Sequence, residues 1–263
     1  MSVTVRRDER GVLTLTLDRP GARNAIDDAM AAALIAELAA AATDDTVRVV
    51  LLQGAGADFC SGADIVARNA AEGARPRTGS IQRRLPEAAH RLVTLVTTIQ
   101  VPVVCKVRGW AAGLGFQLAL AADFAVCAED ARLWEPFARR GFTPDSGATW
   151  LLPRRVGEVR ARELLLLGRE LSGAEAADWG AVHAAVPEAE LDATVDDLVA
   201  RLAAGPTVTL GLTKQLLREG AGSGLDEQLR REALALELSS RSEDFREGMA
   251  AFRERRDPRF GGR

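Results

Sequence analysis

The chain has 263 residues, 47% of them hydrophobic, which is enough for one large α/β domain or for a core with a smaller helical part. A formal net charge of −3 excludes nucleic-acid binding by bulk electrostatics, while arginines gathered at 75–84 and 246–263 suit a small anion-carrying ligand. Three cysteines without CxxC spacing (Cys60, Cys105 and Cys127) argue against a disulfide framework and for a reducing compartment.

Residues 3–17 predict a hairpin, with a turn at Asp8–Gly11 followed by the alternating Val-Leu-Thr-Leu-Thr-Leu. The loop Arg19-Pro20-Gly21-Ala22-Arg23-Asn24 leads to an alanine-rich helix over 27–42, with Asp27 and Asp28 well placed at its N-terminus. A buried strand over 47–53 then empties into the small-residue turn 54–64, with a helix expected to start near Asp64. Residues 68–85, polar and arginine-rich without a period, read as a loop or lid beside a site, or as a solvated surface segment. An amphipathic helix over 86–99 leads into the central stretch, VPVVCKVRGWAAGLGFQLALAAD at 101–123. Its valines predict a strand covered on both faces, and its second half a buried helix from about Gly115.

Strands over 124–128 and 132–134 follow, then a short helix over 136–140 and a turn-rich loop over 141–147. Ser172-Gly173-Ala174-Glu175 is a capping-box pattern, with Asp178-Trp179-Gly180 ending that helix. From Leu191 the chain predicts helices over 191–202, 206–218, 225–240 and 244–255. The expected organisation is an α/β core over 1–190 and a helical region over 191–263, whose apolar faces would be buried by other subunits. The apolar segment around Leu114 is broken by Gln117 and Asp123, too short for a bilayer span, and the N-terminal residues lack a signal-peptide core. A cytoplasmic protein without membrane association is expected.

The stretches 47–64 and 101–123 share one pattern: buried strand, small-residue turn, helix start. In one parallel sheet such units end at the same edge, where ligands of open α/β folds collect. Each turn offers main-chain N–H groups without helical partners, so the pair can direct donors at one anion. Close packing of helix on sheet is the other use of such turns. Gly113-Leu114-Gly115 lacks the third glycine of GxGxxG, and no GxxxxGK[ST] or GxSxG occurs. His90 and His183 have no ligand-spaced partners, so no metal is expected, and His183 reads as structural.

Three motifs carry a more specific likeness: Phe59-Cys60-Ser61-Gly62-Ala63-Asp64, Gly109-Trp110-Ala111-Ala112-Gly113-Leu114-Gly115, and Pro144-Asp145-Ser146-Gly147. With the 19–24 loop, Leu152-Pro153-Arg154 and Glu247–Phe252, they resemble the enoyl-CoA hydratase/isomerase (crotonase) superfamily along the whole chain. The resemblance implies a ββα spiral core, a C-terminal helical region, and a homotrimer or dimer of trimers. It implies an acyl-CoA thioester substrate, with coenzyme A entering as part of it and no separate cofactor. The oxyanion hole would be the N–H groups of Ala63 and Leu114, and the CoA moiety would lie along Ala22, Arg23, Ser61, Asp64 and Ile65. Arg255 of an adjacent subunit would pair with phosphate.

Hydratases of this family carry two glutamates, and the matching positions here are Gln117 and Phe137, which cannot activate water or deliver a proton. Glu135, two residues away, is a candidate substitute, its other reading being a solvated strand-end residue. Asp145 resembles the base of the isomerase branch that acts on ring-opened or epoxidised phenylacetyl-CoA, the alternative being an ordinary helix-capping aspartate. An enoyl-CoA isomerase is therefore expected. Other readings are a hydratase, an aryl-CoA dehalogenase or hydrolase using Asp145 and His90, and a non-catalytic acyl-CoA binding protein. The acyl pocket is expected from residues 68–85, Trp134, Phe137, Phe142 and Trp150.

Overall fold

Alternation of apolar and polar residues makes the opening hairpin the edge of the main sheet. In the computed structural model, whose described residues are 2–64 and 77–263, β1 (Val3–Arg7) pairs antiparallel with β2 (Val12–Leu17). Helix α1 (Asp28–Ala41) is capped by Asp27, whose side chain accepts the Met30 N–H at 2.8 Å. It buries Met30, Ala31, Leu34, Leu38 and Ala41, a stripe at helical spacing. Strand β3 (Val49–Gly54) is buried from Val49 to Leu52. The helix start expected near Asp64 and the contact role of Ile65 lie outside the described residues, as does the first half of the segment 68–85. The end of that segment is not a loop: α2 (Ser80–Arg84) is helical and Leu85–Glu87 forms a 3-10 turn. Helix α3 (Ala89–Thr98) follows, with Ala89, Leu92, Leu95 and Val96 inward.

The central stretch forms β4 (Val103–Val107), then a short strand β5 (Trp110–Ala112) where the sequence suggested only a turn, then α4 (Leu114–Ala121). Every residue of α4 is buried, so it is a core helix and not an amphipathic surface helix. Next come β6 (Phe124–Ala128), β7 (Arg132–Trp134), α5 (Phe137–Arg140), and α6 (Ala148–Leu167), which is interrupted at Gly157. Strand β8 (Glu170–Ser172) and α7 (Gly173–Asp178) follow, with Ser172 accepting the Glu175 N–H at 3.1 Å as the capping pattern required. The last strand is β9 (Ala184–Val186).

Two sheets result. The larger has the order β1-β2-β3-β4-β6-β9, parallel from β2 onward, and the smaller is β5-β7-β8. Parallel β3 and β4 are neighbours, so the turns that follow them, 54–64 and 108–113, leave the sheet at the same edge. Helix α8 (Glu188–Ala203) lies on this sheet, burying Leu191, Val195, Val199 and Ala203.

Helices α9 (Thr207–Gly220), α10 (Leu225–Ser239) and α11 (Glu243–Glu254) complete the chain. Lys214 of α9 ties this region to the core: its Nζ lies 2.7 Å from Asp123 and donates to the carbonyls of Val96 and Val101. Burial lowers the Lys214 ammonium from its usual value, and the Asp123 charge opposes that shift. Leu225, Leu229, Leu234, Leu236, Leu238, Met249 and Phe252 stay exposed on α10 and α11. Among the described residues no helix is long and apolar enough to cross a membrane.

Candidate active site

The two small-residue turns are stitched together by main-chain bonds. Cys60 N–H donates to the Trp110 carbonyl at 2.8 Å, and Ala112 N–H donates to the Cys60 carbonyl at 2.9 Å. On the other side, Ile26 N–H donates to Gly62 and Asp64 N–H donates to Ile26, at 2.8 and 2.9 Å. These bonds use the N–H groups around Ala63 and leave its own without an acceptor among the described residues. Leu114 is the first residue of α4, so its N–H has no helical partner and likewise no other acceptor there. A Cβ placed on Gly62 would lie 3.6 Å from the Leu114 nitrogen, which shows how closely the turns approach. Gly115 lets them close: a Cβ there would fall 2.3 Å from the Cys60 carbonyl oxygen.

A cavity opens beside these donors, lined by Ser61, Gly62, Ala63, Gly113 and Leu114 on one side. Its remaining wall is largely apolar, with Ile26, Leu85, Ala89, Phe137 and Phe142, and it also carries Arg140, Asp145 and Ser146. Phe137 and Phe142 meet edge to face, ring centroids 5.3 Å apart. Asp145 is the sole carboxylate among the described lining residues. Helix α6 takes Gly147 as its N-cap, so the alternative reading of Asp145 as that cap does not hold. Ser146 is held at φ +48° and Gly147 at φ +93°, backbone that turns the chain sharply after Asp145.

Glu135 and Gln117 sit behind this wall. Their exposures are 1% and 0%, and neither is among the residues lining the cavity. The solvated strand-end reading of Glu135 is thereby overturned, since its side chain is buried against Gln117 of α4 at a position that looks peripheral in the sequence. Gln117 Nε2 donates to Glu135 Oε2 at 3.4 Å, while Gln117 Oε1 and Glu135 Oε1 have no partner among the described residues. Burial first, and then the negative charge of Asp145, push the Glu135 carboxyl well above the usual carboxylate range, against an opposing contribution from the Gln117 bond.

The other expected site residues are placed as follows. Ser61 is bonded to the 19–24 loop twice, its Oγ donating to the Ala22 carbonyl at 3.2 Å and its N–H to the Arg23 carbonyl at 2.9 Å. Asp64 pairs with Arg19 at 3.0 Å, and Arg23 lies 3.8 Å from Asp58 and over the Trp110 ring. Ala22, Arg23, Ser61 and Asp64 therefore form one continuous rim. Arg255 lies at the exposed end of α11 and is not part of the cavity within one protomer. His90 is exposed on α3, where Ala89 is the neighbour that faces the cavity, so it is not brought to Asp145. Trp134 and Trp150 also stay outside the cavity: Trp134 packs against Trp110 and Trp150 carries Arg154 on its ring. Arg140 lines the cavity and was missed in the sequence, where nothing distinguishes it from the adjacent Arg139.

A family model described as enoyl-CoA hydratase/isomerase matches residues 7–263. The chain is 42% identical over 257 residues to the 1,2-epoxyphenylacetyl-CoA isomerase of Escherichia coli (strain K12), covering 97% of each. It is 33% identical over 266 residues to the 2,3-dehydroadipyl-CoA hydratase of the same organism, covering 100% of each. Among solved structures, it superposes on an enoyl-CoA hydratase from Bacillus anthracis with a TM-score of 0.93, at 29% identity and full coverage of both chains.

Proposed function

Because the chain belongs to the enoyl-CoA hydratase/isomerase family, we propose that it isomerises enoyl-CoA thioesters, with Asp145 as acid/base and the N–H groups of Ala63 and Leu114 as oxyanion donors. What supports this reading is one carboxylate among the described cavity-lining residues, beside two main-chain N–H groups that have no acceptor among the described residues. The thioester oxygen accepts both N–H groups. Asp145 takes the proton from one carbon next to the conjugated system, and the negative charge moves onto the thioester oxygen as an enolate. The same carboxyl then returns the proton two carbons along, so no water or external acid is consumed. Hydration fits less well, because Phe137 fills the wall and Gln117 is sealed behind it. The 42% identity to an epoxyphenylacetyl-CoA isomerase and the Phe137–Phe142 pair favour a ring-bearing acyl group.

The CoA moiety runs along Ala22, Arg23, Ser61, Asp64 and Ile65, with Arg255 of a neighbouring subunit on its phosphates, and no further cofactor takes part. The exposed leucines of α10 and the Met249 and Phe252 face of α11 are the surface for a trimer or dimer of trimers. The buried free thiols suit a cytoplasmic location. Asp145→Asn tests the reading: isomerisation of unsaturated acyl-CoA thioesters should fall by about 10²–10⁴-fold with substrate binding kept. Unchanged turnover would remove Asp145 from the mechanism.

A further inference from the structure

The reaction above leaves unused a buried carboxyl behind the cavity wall, that of Glu135. Glu135 joins β7 to α5, between Trp134, whose carbonyl accepts the Gly113 N–H at 2.8 Å, and Pro136, which lines the cavity. Gln117 is on α4, three residues after the oxyanion donor Leu114. The contact between them thus links the element that carries the hole to the element that carries the opposite wall.

Its hydrogen bonding is half complete. Gln117 donates one N–H to Glu135 Oε2, and Gln117 Oε1 and Glu135 Oε1 are both buried without a partner. Two orphan acceptors facing one another behind one wall are unfavourable unless a proton lies between them. A carboxylic acid supplies that proton: its O–H donates to the amide oxygen while the amide N–H donates back. We propose that Glu135 is a positioning residue of this reaction, a neutral acid closing a cyclic pair with Gln117 and leaving Asp145 as the one negative charge beside the oxyanion hole. The proposal rests on the reading of Asp145 as the base.

The surroundings agree. From α4 the facing group is the uncharged Gln117, and from the loop before α6 it is the charge of Asp145, which disfavours a second anion. Arg140 on α5 is turned to the Trp134 ring, 5.6 Å from its centroid, and does not neutralise Glu135. A pair of carboxyls driven apart in this way gives one base and one acid at the same pH. If Glu135 ionised, it would place a second charge next to the developing enolate and oppose its formation.

The test combines spectroscopy on the unliganded protein with kinetics. Infrared difference spectra of protein carrying isotopically labelled glutamate should show a protonated side-chain carboxyl at neutral pH that Glu135→Gln removes. In the wild type, that band should titrate away on the alkaline side with the midpoint at which kcat/KM begins to fall about tenfold per pH unit. In Glu135→Gln the alkaline limb should be absent. No protonated glutamate at neutral pH would overturn the pair, and an alkaline limb surviving in Glu135→Gln would overturn the positioning role. The wild-type titration needs no variant, so a misfolded Glu135→Gln does not block the test. A protein that shows the band but isomerises no enoyl-CoA would refute the reaction assigned to Asp145 and support the acid–amide pair.

Discussion

Gly113 donates its N–H to the Trp134 carbonyl at 2.8 Å, and this bond decides which donor of the turn remains for a ligand. With Gly113 committed to β7, the Leu114 N–H is the first one free. Leu114 is also the first residue of α4, the helical position where proline fits best because no N–H is needed there. Leu114→Pro therefore deletes the donor while the helix is retained. The expected outcome is a loss of about 10²–10³-fold in kcat, measured beside an unchanged circular dichroism spectrum.

Closure of the two turns depends on Gly115. A Cβ there would meet the Cys60 carbonyl oxygen at 2.3 Å and its Cβ at 2.8 Å, so one turn has to move. Gly115→Ala should destabilise the protein by about 1–3 kcal/mol in denaturant unfolding. Activity should drop further than Leu114→Pro causes, because both donors are displaced together.

Asn24 holds together the loop that carries the Ala22–Arg23 rim. It is fully buried at φ +54°, accepts the Arg19 N–H at 2.9 Å, and donates to the carbonyls of Ala55 and Asp58 at 2.9 and 2.7 Å. Asn24→Ala leaves three part-buried main-chain groups without this partner, for a loss of about 3 kcal/mol. Steady-state kinetics should show KM for the thioester rising more than kcat falls, since the damage is at the rim and not at the donors.

Glu135 makes stability depend on pH in a defined direction. Its folded-state value lies well above the usual 4.5, so between those two values the folded protein keeps a proton that the unfolded chain has released. The contribution of burying the neutral acid is complete below the unfolded value and is lost as pH rises through the folded one. The slope is up to about 1.4 kcal/mol per pH unit across that window. Glu135→Gln has no proton to lose, so its stability relative to wild type should rise as pH is raised above the ordinary glutamate value, as read by urea unfolding at each pH.

The thiols should be inert in the folded protein. Burial pushes Cys60 and Cys127 up to about 12, and burial followed by the neighbouring Cys127 raises Cys105 from its usual value. A disulfide reagent at about pH 8 should find no reactive thiol until the protein is unfolded, when all three cysteines react.

The strands and turns of 47–64 and 101–123, and the helix that ends the second, were legible because valine-rich runs and small-residue turns are local signals. The smaller sheet was not. Trp110–Ala112 is too short to declare itself, and it becomes a strand only by pairing with Arg132–Trp134, which pairs in turn with Glu170–Ser172. Asp145 was found through its motif, whereas the burial of Glu135 depends on elements distant in sequence. His90 shows the limit of spacing arguments: its place on a helix was correct, but α3 turns Ala89 and Leu92 inward and leaves His90 to solvent.

Strand register, and not any side chain, fixes the distance between the Ala63 and Leu114 nitrogens, because Cys60 is bridged to Ala111 and Ile26 to Ala63 through peptide groups. In the reaction proposed above, the two tasks would then fall to different parts of the polymer: charge delocalisation to the main chain, proton traffic and substrate choice to replaceable groups on the far wall. A library randomised at Phe137, Arg140 and Phe142 would vary acyl preference while the enolate-stabilising frame stays constant, which makes this chain a suitable starting point for directed changes of substrate.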